Sequence, residues 1–169
     1  MEITKLDPTN ATCRVYTFKE GLLSAVGHDL AFKVETFAVT ATAEEVKGTF
    51  DLRTLHLLGA VHGGVTTPCD AADRKRIEQS MTDDVLQLRK FPSATVSGTR
   101  HENTFSGNLT LHGVTKSLEA TATRVGDGSQ MVIELVPSQF GIKPFRAMLG
   151  ALRVEDRVCI ELRWSESPS

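Results

Sequence analysis

The side chains able to do chemistry in this 169-residue chain are scattered, and each group has a structural account beside its chemical one. His28-Asp29 opens an alternating run: a neutral imidazole there could hydrogen-bond a ligand's head group, with Asp29 on the opposite strand face. His28 could equally satisfy backbone groups in the turn at Gly27. Cys69 stands between Pro68 and Asp70 at an expected helix start, where the helix dipole lowers a thiol's pKa and sharpens its nucleophilicity. No histidine is placed by the sequence to serve as its base, and a small apolar residue at a helix start is the competing account. His56-x5-His62 lacks the i, i+4 or i, i+2 spacing that brings two imidazoles to one metal, and no H-E-x-x-H is present. His62-Gly63-Gly64 looks like part of an oxyanion loop, yet no G-x-S-x-G elbow accompanies it and a flexible loop accounts for it. Asp83-Asp84 could act as an acid/base pair or cap a helix. Gly107–Lys116 could cradle a phosphate, or be a strand ending in a tight Gly113 turn with Thr115 and Lys116 opening the next strand. No catalytic set, metal site or cofactor is expected from these spacings.

The elements that would position these groups are mostly strands. Ala11–Glu20 alternates Cys13, Val15, Tyr16 and Phe18 with polar residues and ends at Gly21, as an edge or first strand would. Leu30, Phe32 and Val34 alternate with Lys33 and Glu35, the pattern of a half-buried antiparallel strand. The same two-residue period continues in Phe37–Thr42 and Lys47–Leu57, with a turn at Glu44-Glu45. Gly59–Thr67 reads as a flexible loop. Only Asp70–Pro92 reads as helix: Ile77, Met81, Val85 and Leu88 share one stripe, and Arg74, Lys75, Glu78 and Gln79 are left for water. Asp70 is the expected N-cap, and Thr82 with Asp83 and Asp84 predicts a second start, hence two short helices broken near Thr82. Phe91-Pro92 ends the segment. Beyond it, Ala94–Thr99, Thr104–Leu111, Ser117–Val125 and Gln130–Val136 follow at the spacing of a sandwich or barrel, with tight turns at Arg100–Asn103 and Gly126-Asp127-Gly128. Leu109 and Leu111 should face one side together, as should Leu118, Ala120 and Ala122 on the next strand. Phe140–Gly150 is irregular but apolar enough to cover something, and Arg153–Trp164 closes the pattern.

Composition narrows the partners. With 40% hydrophobic residues the chain can bury one core, and 19 basic against 21 acidic residues give a net charge of −2. No basic stripe argues for nucleic acid or an anionic membrane. Cys13, Cys69 and Cys159 are odd in number and far apart, which suits reduced thiols. The N-terminus has no leader-like pattern, and no apolar run approaches the roughly 20 residues of a transmembrane helix. A soluble, cytoplasmic protein is the expectation.

Several stretches then point to a family. Gly27-His28, Gly48-Thr49-Phe50, Leu86-x-x-x-x-Phe91-Pro92 and above all Gly107-Asn108-Leu109-Thr110-Leu111-His112-Gly113-Val114-Thr115-Lys116 resemble the YceI-like family in order and approximate spacing, from about Leu23 to the C-terminus. Where many members carry R-D-x-x-L and a double Phe, this chain has Asp73-Arg74-Lys75-Arg76-Ile77 and Met81-Thr82-Asp83-Asp84-Val85-Leu86. The resemblance implies a single lipocalin-like antiparallel β-barrel with one or two short helices near one end, whose apolar interior in some members holds a polyisoprenoid or similar lipid. Eight strands are expected, a number that either fills with side chains or holds one ligand. The expected ligand-binding set is His28, Leu30, Phe32, Val34, Phe50, Leu52, Leu109, Leu111, Leu118, Ile160 and Leu162 in the barrel. Ile77, Met81 and Val85 from the helix and Phe140 and Phe145 from the apolar loop would cover it. The expected partner is a long-chain isoprenoid or similar lipid, with a homodimer open. Two other readings stand beside this one: an enzyme on an isoprenoid-like substrate, in which His28 and Cys69 converge, and a filled-core structural or interaction protein.

Overall fold

Two-residue alternation builds one antiparallel sheet that curls over its own apolar rows. The computed structural model describes residues 4–20, 29–147 and 152–165. In chain order the strands are β1 (Thr4–Leu6), β2 (Ala11–Glu20), β3 (Asp29–Val34), β4 (Phe37–Ala41), β5 (Glu45–Asp51), β6 (Leu55–His62) and β7 (Val65–Thr67). After the helix come β8 (Ser93–His101), β9 (Thr104–Leu111), β10 (Val114–Val125), β11 (Gly128–Leu135), β12 (Arg146–Ala147) and β13 (Leu152–Ser165). The hydrogen-bonded order is β1-β4-β5-β8-β9-β10-β11-β13-β2-β3-β6-β7, with β12 pairing β13 off this path.

The inward rows meet across the curl in two clusters. One gathers Leu52, Leu88, Ala94, Leu109, Leu135, Phe140 and Ile142, and the other Ala11, Cys13, Val34 and Phe37. Phe50, Leu55 and Ile160 pack against both, so the two form one continuous interior. A sheet bends this tightly only where side chains are removed or residues added. Gly98 faces Gly107 across β8 and β9. A Cβ at Gly98 would come within 2.3 Å of the Ser106 carbonyl oxygen, and one at Gly107 within 2.2 Å of that of Ser97; the Phe105 ring covers both. On the other side, Leu58 is the extra residue in the β3/β6 ladder and residues 155–157 bulge out between Val154 and Val158 of β13.

The sheet is open between two of its neighbouring strands. β10 and β11 pair only from Val125/Gly128 to Ala122/Met131, although β10 starts at Val114 and β11 runs on to Leu135. The two strands therefore part along most of their length.

The structure corrects several expectations. Twelve strands lie on the continuous path, not the eight that the resemblance implies: to the nine alternating runs of the sequence the structure adds short β1 and β7 at the two ends of the sheet, and a 3₁₀ turn at Leu52–Thr54 breaks the run Lys47–Leu57 in two. Gly59–Thr67 is the end of β6 and a hairpin to β7, with Gly63 and Gly64 supplying two left-handed residues (φ +55° and +80°) for the turn. β2 lies between β13 and β3 and is neither an edge nor the first strand. The helix α1 (Ala71–Ser80) starts as expected, Asp70 accepting from the Asp73 N–H at 2.8 Å. It does not break at Thr82: Ser80 is helical and the chain widens without interruption into a π-helical turn at Met81–Val85. Leu109, Leu111, Leu118 and Ala120 do share the inward face.

Replacing Gly107 by valine would force β8 away from β9 where the two backbones approach most closely on Gly98 and Gly107. Urea denaturation of Gly107→Val is expected to show a loss of about 1–3 kcal/mol, the range for overpacking. An unchanged midpoint would mean that the close approach is not needed.

Candidate functional site

The inward face is apolar along its whole extent, but it is not evenly enclosed. Leu57 and Val34 are fully buried, whereas Leu111, Val114, Leu118, Ile133, Val158 and Ile160 are only half-buried although they pack on the core. These belong to the strands on either side of the parting of β10 and β11, or to β9 and β13 next to it. No buried polar or charged residue interrupts the rows among the described residues. Among the described residues the interior is lined by apolar side chains and the Cys13 thiol.

Covers close the interior around Leu52 and Leu109. The π-turn brings Val85 and Leu86 onto the core, and Leu88 beyond it is 4% exposed. The Phe91 ring lies tilted against that of His112, centroids 4.2 Å apart, and His112 Nε2 lies 3.1 Å from Gln87 Oε1, so the β9–β10 turn is locked to the segment after the helix. A 3₁₀ turn, Pro137–Phe140, lies against β10 and β13 and drives Phe140 and Ile142 into the core. It is anchored by Asp156 in the β13 bulge, which accepts from the Ser138 backbone N–H (2.9 Å) and hydroxyl.

Helix α1 is held differently. It has no buried residue, and it packs against β6. Glu78 Oε1 accepts from the Leu57 backbone N–H at 2.9 Å and lies 3.3 Å from His56 Nδ1. One carboxylate thus satisfies a donor at the level of the β3/β6 bulge, where the ladder shifts register.

The expected site residues divide accordingly. Leu52, Leu109 and Phe140 are core, with Phe50, Val85, Leu111, Leu118 and Ile160 packed on them; Val34 is in the second cluster with Leu162 beside it. Phe32 is buried; Leu30, Ile77, Met81 and Phe145 are half-buried and belong to neither cluster. His28 lies outside the described residues, as do Met148 and Leu149 of the apolar loop, so its convergence with Cys69 has no described geometry. At the start of the apolar loop Phe140 and Ile142 are core residues, 3% and 4% exposed, with Gly141 between them in the left-handed region at φ +73°. The Gly107–Lys116 stretch is the β9–β10 hairpin, its glycines occupied in close approach and turning. Asp83 and Asp84 are exposed, and His56, His62, Cys69 and the acids form no group able to hold a metal among the described residues. Glu78 and Arg74, expected to face water, are half-buried; the signal for them is the i+3 and i+7 relation of Arg74 to Ile77 and Met81 and the i+3 relation of Glu78 to Met81.

The thiols are chemically quiet where they are enclosed. Burial pushes Cys13 from its ordinary 9.0 up to about 12, and burial with the nearby Glu134 and Glu161 raises Cys159. Cys13 should resist alkylation at pH 8 in the native protein and react once it is unfolded. Its folded-state pKa lies above the unfolded one, so its contribution to stability is complete below about pH 9 and falls as pH rises toward 12. Cys13→Ala should flatten that alkaline slope, whatever its effect on stability at neutral pH; an identical slope would contradict the assignment. For α1, Glu78→Ala orphans the Leu57 N–H at a cost of about 1–3 kcal/mol. Hydrogen exchange should then rise at Leu57 and across Ala71–Ser80; unchanged protection would show that the helix is held by other contacts.

The YceI-like domain model matches residues 5–165. The crystal structure of Burkholderia cenocepacia BcnA superposes with a TM-score of 0.58 at 14% identity, over 93% of this chain and 96% of that one. A structure described as a polyisoprenoid binding domain from Saccharophagus degradans, implicated in plant cell wall breakdown, gives 0.56 at 10% identity, over 97% and 98%. No curated protein matches the sequence.

Proposed function

The chain belongs to the YceI-like family, and on that premise we propose that it binds and carries, without converting it, a long-chain amphiphilic lipid of isoprenoid type whose tail lies inside the curled sheet. The observation that carries this reading is the row of half-buried inward apolar residues beside the place where β10 and β11 part. A filled core would enclose such residues as completely as Leu57 is enclosed, since protein interiors are close-packed. Along the parting they stay within reach of solvent, which suits an elongated apolar guest that enters through the wall and completes the burial. The fold shared with the polyisoprenoid binding domain of Saccharophagus degradans is consistent with a guest of that chemistry. Shielding apolar carbon at roughly 25 cal/mol per Å² would give such a chain ample driving force without a hydrogen bond inside. The Cys13, Cys69 and Cys159 thiols are free, and we place the protein in a reducing compartment, the cytoplasm.

Paired substitutions on one strand test this. Leu118 faces inward on β10 and Glu119 outward. Calorimetric titration with geranylgeraniol is expected to show binding by the parent protein, at least about tenfold weaker binding by Leu118→Trp (about 1.4 kcal/mol), and no change in Glu119→Trp. Leu118→Trp should melt near the parent temperature, because it fills space meant for the guest. A strongly lowered melting temperature with no binding in the parent would establish a filled core instead.

A further inference from the structure

One polar atom has no explanation in the lipid-binding reading, and it lies on the helix that covers β6. Arg74 is half-buried, and its Nε is shut off from solvent with no hydrogen-bond partner among the described residues. Buried donors are almost always satisfied, and a charged one left alone is costlier still. None of the helix carboxylates accepts from Arg74 Nε, and each has another contact. Asp70 caps the helix through the Asp73 N–H, Asp73 Oδ1 pairs with Arg76 at 2.8 Å, and Glu78 serves Leu57 and His56. By its i+3 and i+7 relation Arg74 is aligned with half-buried Ile77 and Met81, and that stripe leads on to Val85 at the core.

We propose that Arg74 holds the head group of the carried lipid, and that this head group is a carboxylate. This rests on the lipid-binding reading and names the chemistry of the guest. The Nε–H and the neighbouring Nη–H of a guanidinium form one flat edge that grips both oxygens of a carboxylate. Charge balance selects the monoanion. A phosphate monoester carries nearly two charges near neutral pH and would need a second enclosed cation. Lys75 is exposed, and Arg76 is exposed and paired with Asp73. A long-chain acid seated this way would place its carboxylate under α1 and lay its tail along Ile77 and Met81 toward Val85.

The test uses the full-length protein freed of lipid, titrated with geranylgeranoic acid, geranylgeraniol and geranylgeranyl phosphate. These share one tail and differ only in the head. The acid is expected to bind at least about tenfold more tightly than the alcohol, the lower end for a charge-assisted hydrogen bond. Arg74→Met should bring the acid down to the affinity of the alcohol, leave the alcohol unchanged, and melt at or above the parent temperature, since it removes an unpaired buried donor. Arg74→Lys should keep part of the preference. Equal binding of acid and alcohol by the parent protein would overturn the head-group assignment and leave lipid binding standing. So would an Arg74-dependent preference for the phosphate, or an Arg74→Met variant that loses stability and both affinities together. Binding of none of the three would overturn lipid binding itself, and the assignment with it.

Discussion

A sheet that curls on itself must find an occupant for every inward side chain, and this constraint governs the molecule. Each strand contributes one apolar row, and the close approach of Gly98 and Gly107, with bulges at Leu58 and residues 155–157, lets those rows turn to face one another. Around Leu52, Leu109, Phe140 and Ile142 the protein supplies the occupant from its own side chains. Beside β10 and β11 it does not enclose the rows to the same degree, and the parting of those strands follows from the same geometry: with the 3₁₀ turn seated against β10, β11 is not paired with it beyond Ala122/Met131.

The segments around the sheet are held by two kinds of force. Phe140, Ile142 and Leu88 are fixed by burial, each removing a large apolar side chain from water. Helix α1 buries nothing completely and has a polar tie, one carboxylate on one backbone N–H. Elements held in this way open at lower free energy than a core. The 3₁₀ turn is thus held firmly, and helix α1, where Arg74 leaves a donor unused, more lightly.

Strand alternation was legible because its period is short and local. Leu30/Phe32/Val34 and Leu109/Leu111 opposite Leu118/Ala120 needed only the pleat to assign their faces. What escaped the sequence depended on partners distant along the chain. Gly59–Thr67 looks like a loop until β6 is paired with β3, and only then do Gly63 and Gly64 stand as a hairpin turn. Thr82 has the composition of an N-cap, but Met81 and Val85 continue the helix in a π-turn and leave it no terminus to cap. Glu78 and Arg74 read as solvated charges because nothing local reveals a backbone donor on β6 or an enclosed surface beneath the helix. The place of Phe140 in the core comes from the left-handed Gly141 and the Asp156 anchor eighteen residues after Ser138, which its local sequence does not reveal.

The claim that joins these observations is that the interior is completed by a guest. Native mass spectrometry of protein purified without detergent, followed by organic extraction and identification of what is released, addresses it most directly. The account predicts a population carrying one long-chain lipid per chain, released on unfolding. A clean mass for the polypeptide alone, unchanged after incubation with long-chain isoprenoids, would contradict it and leave a filled-core protein.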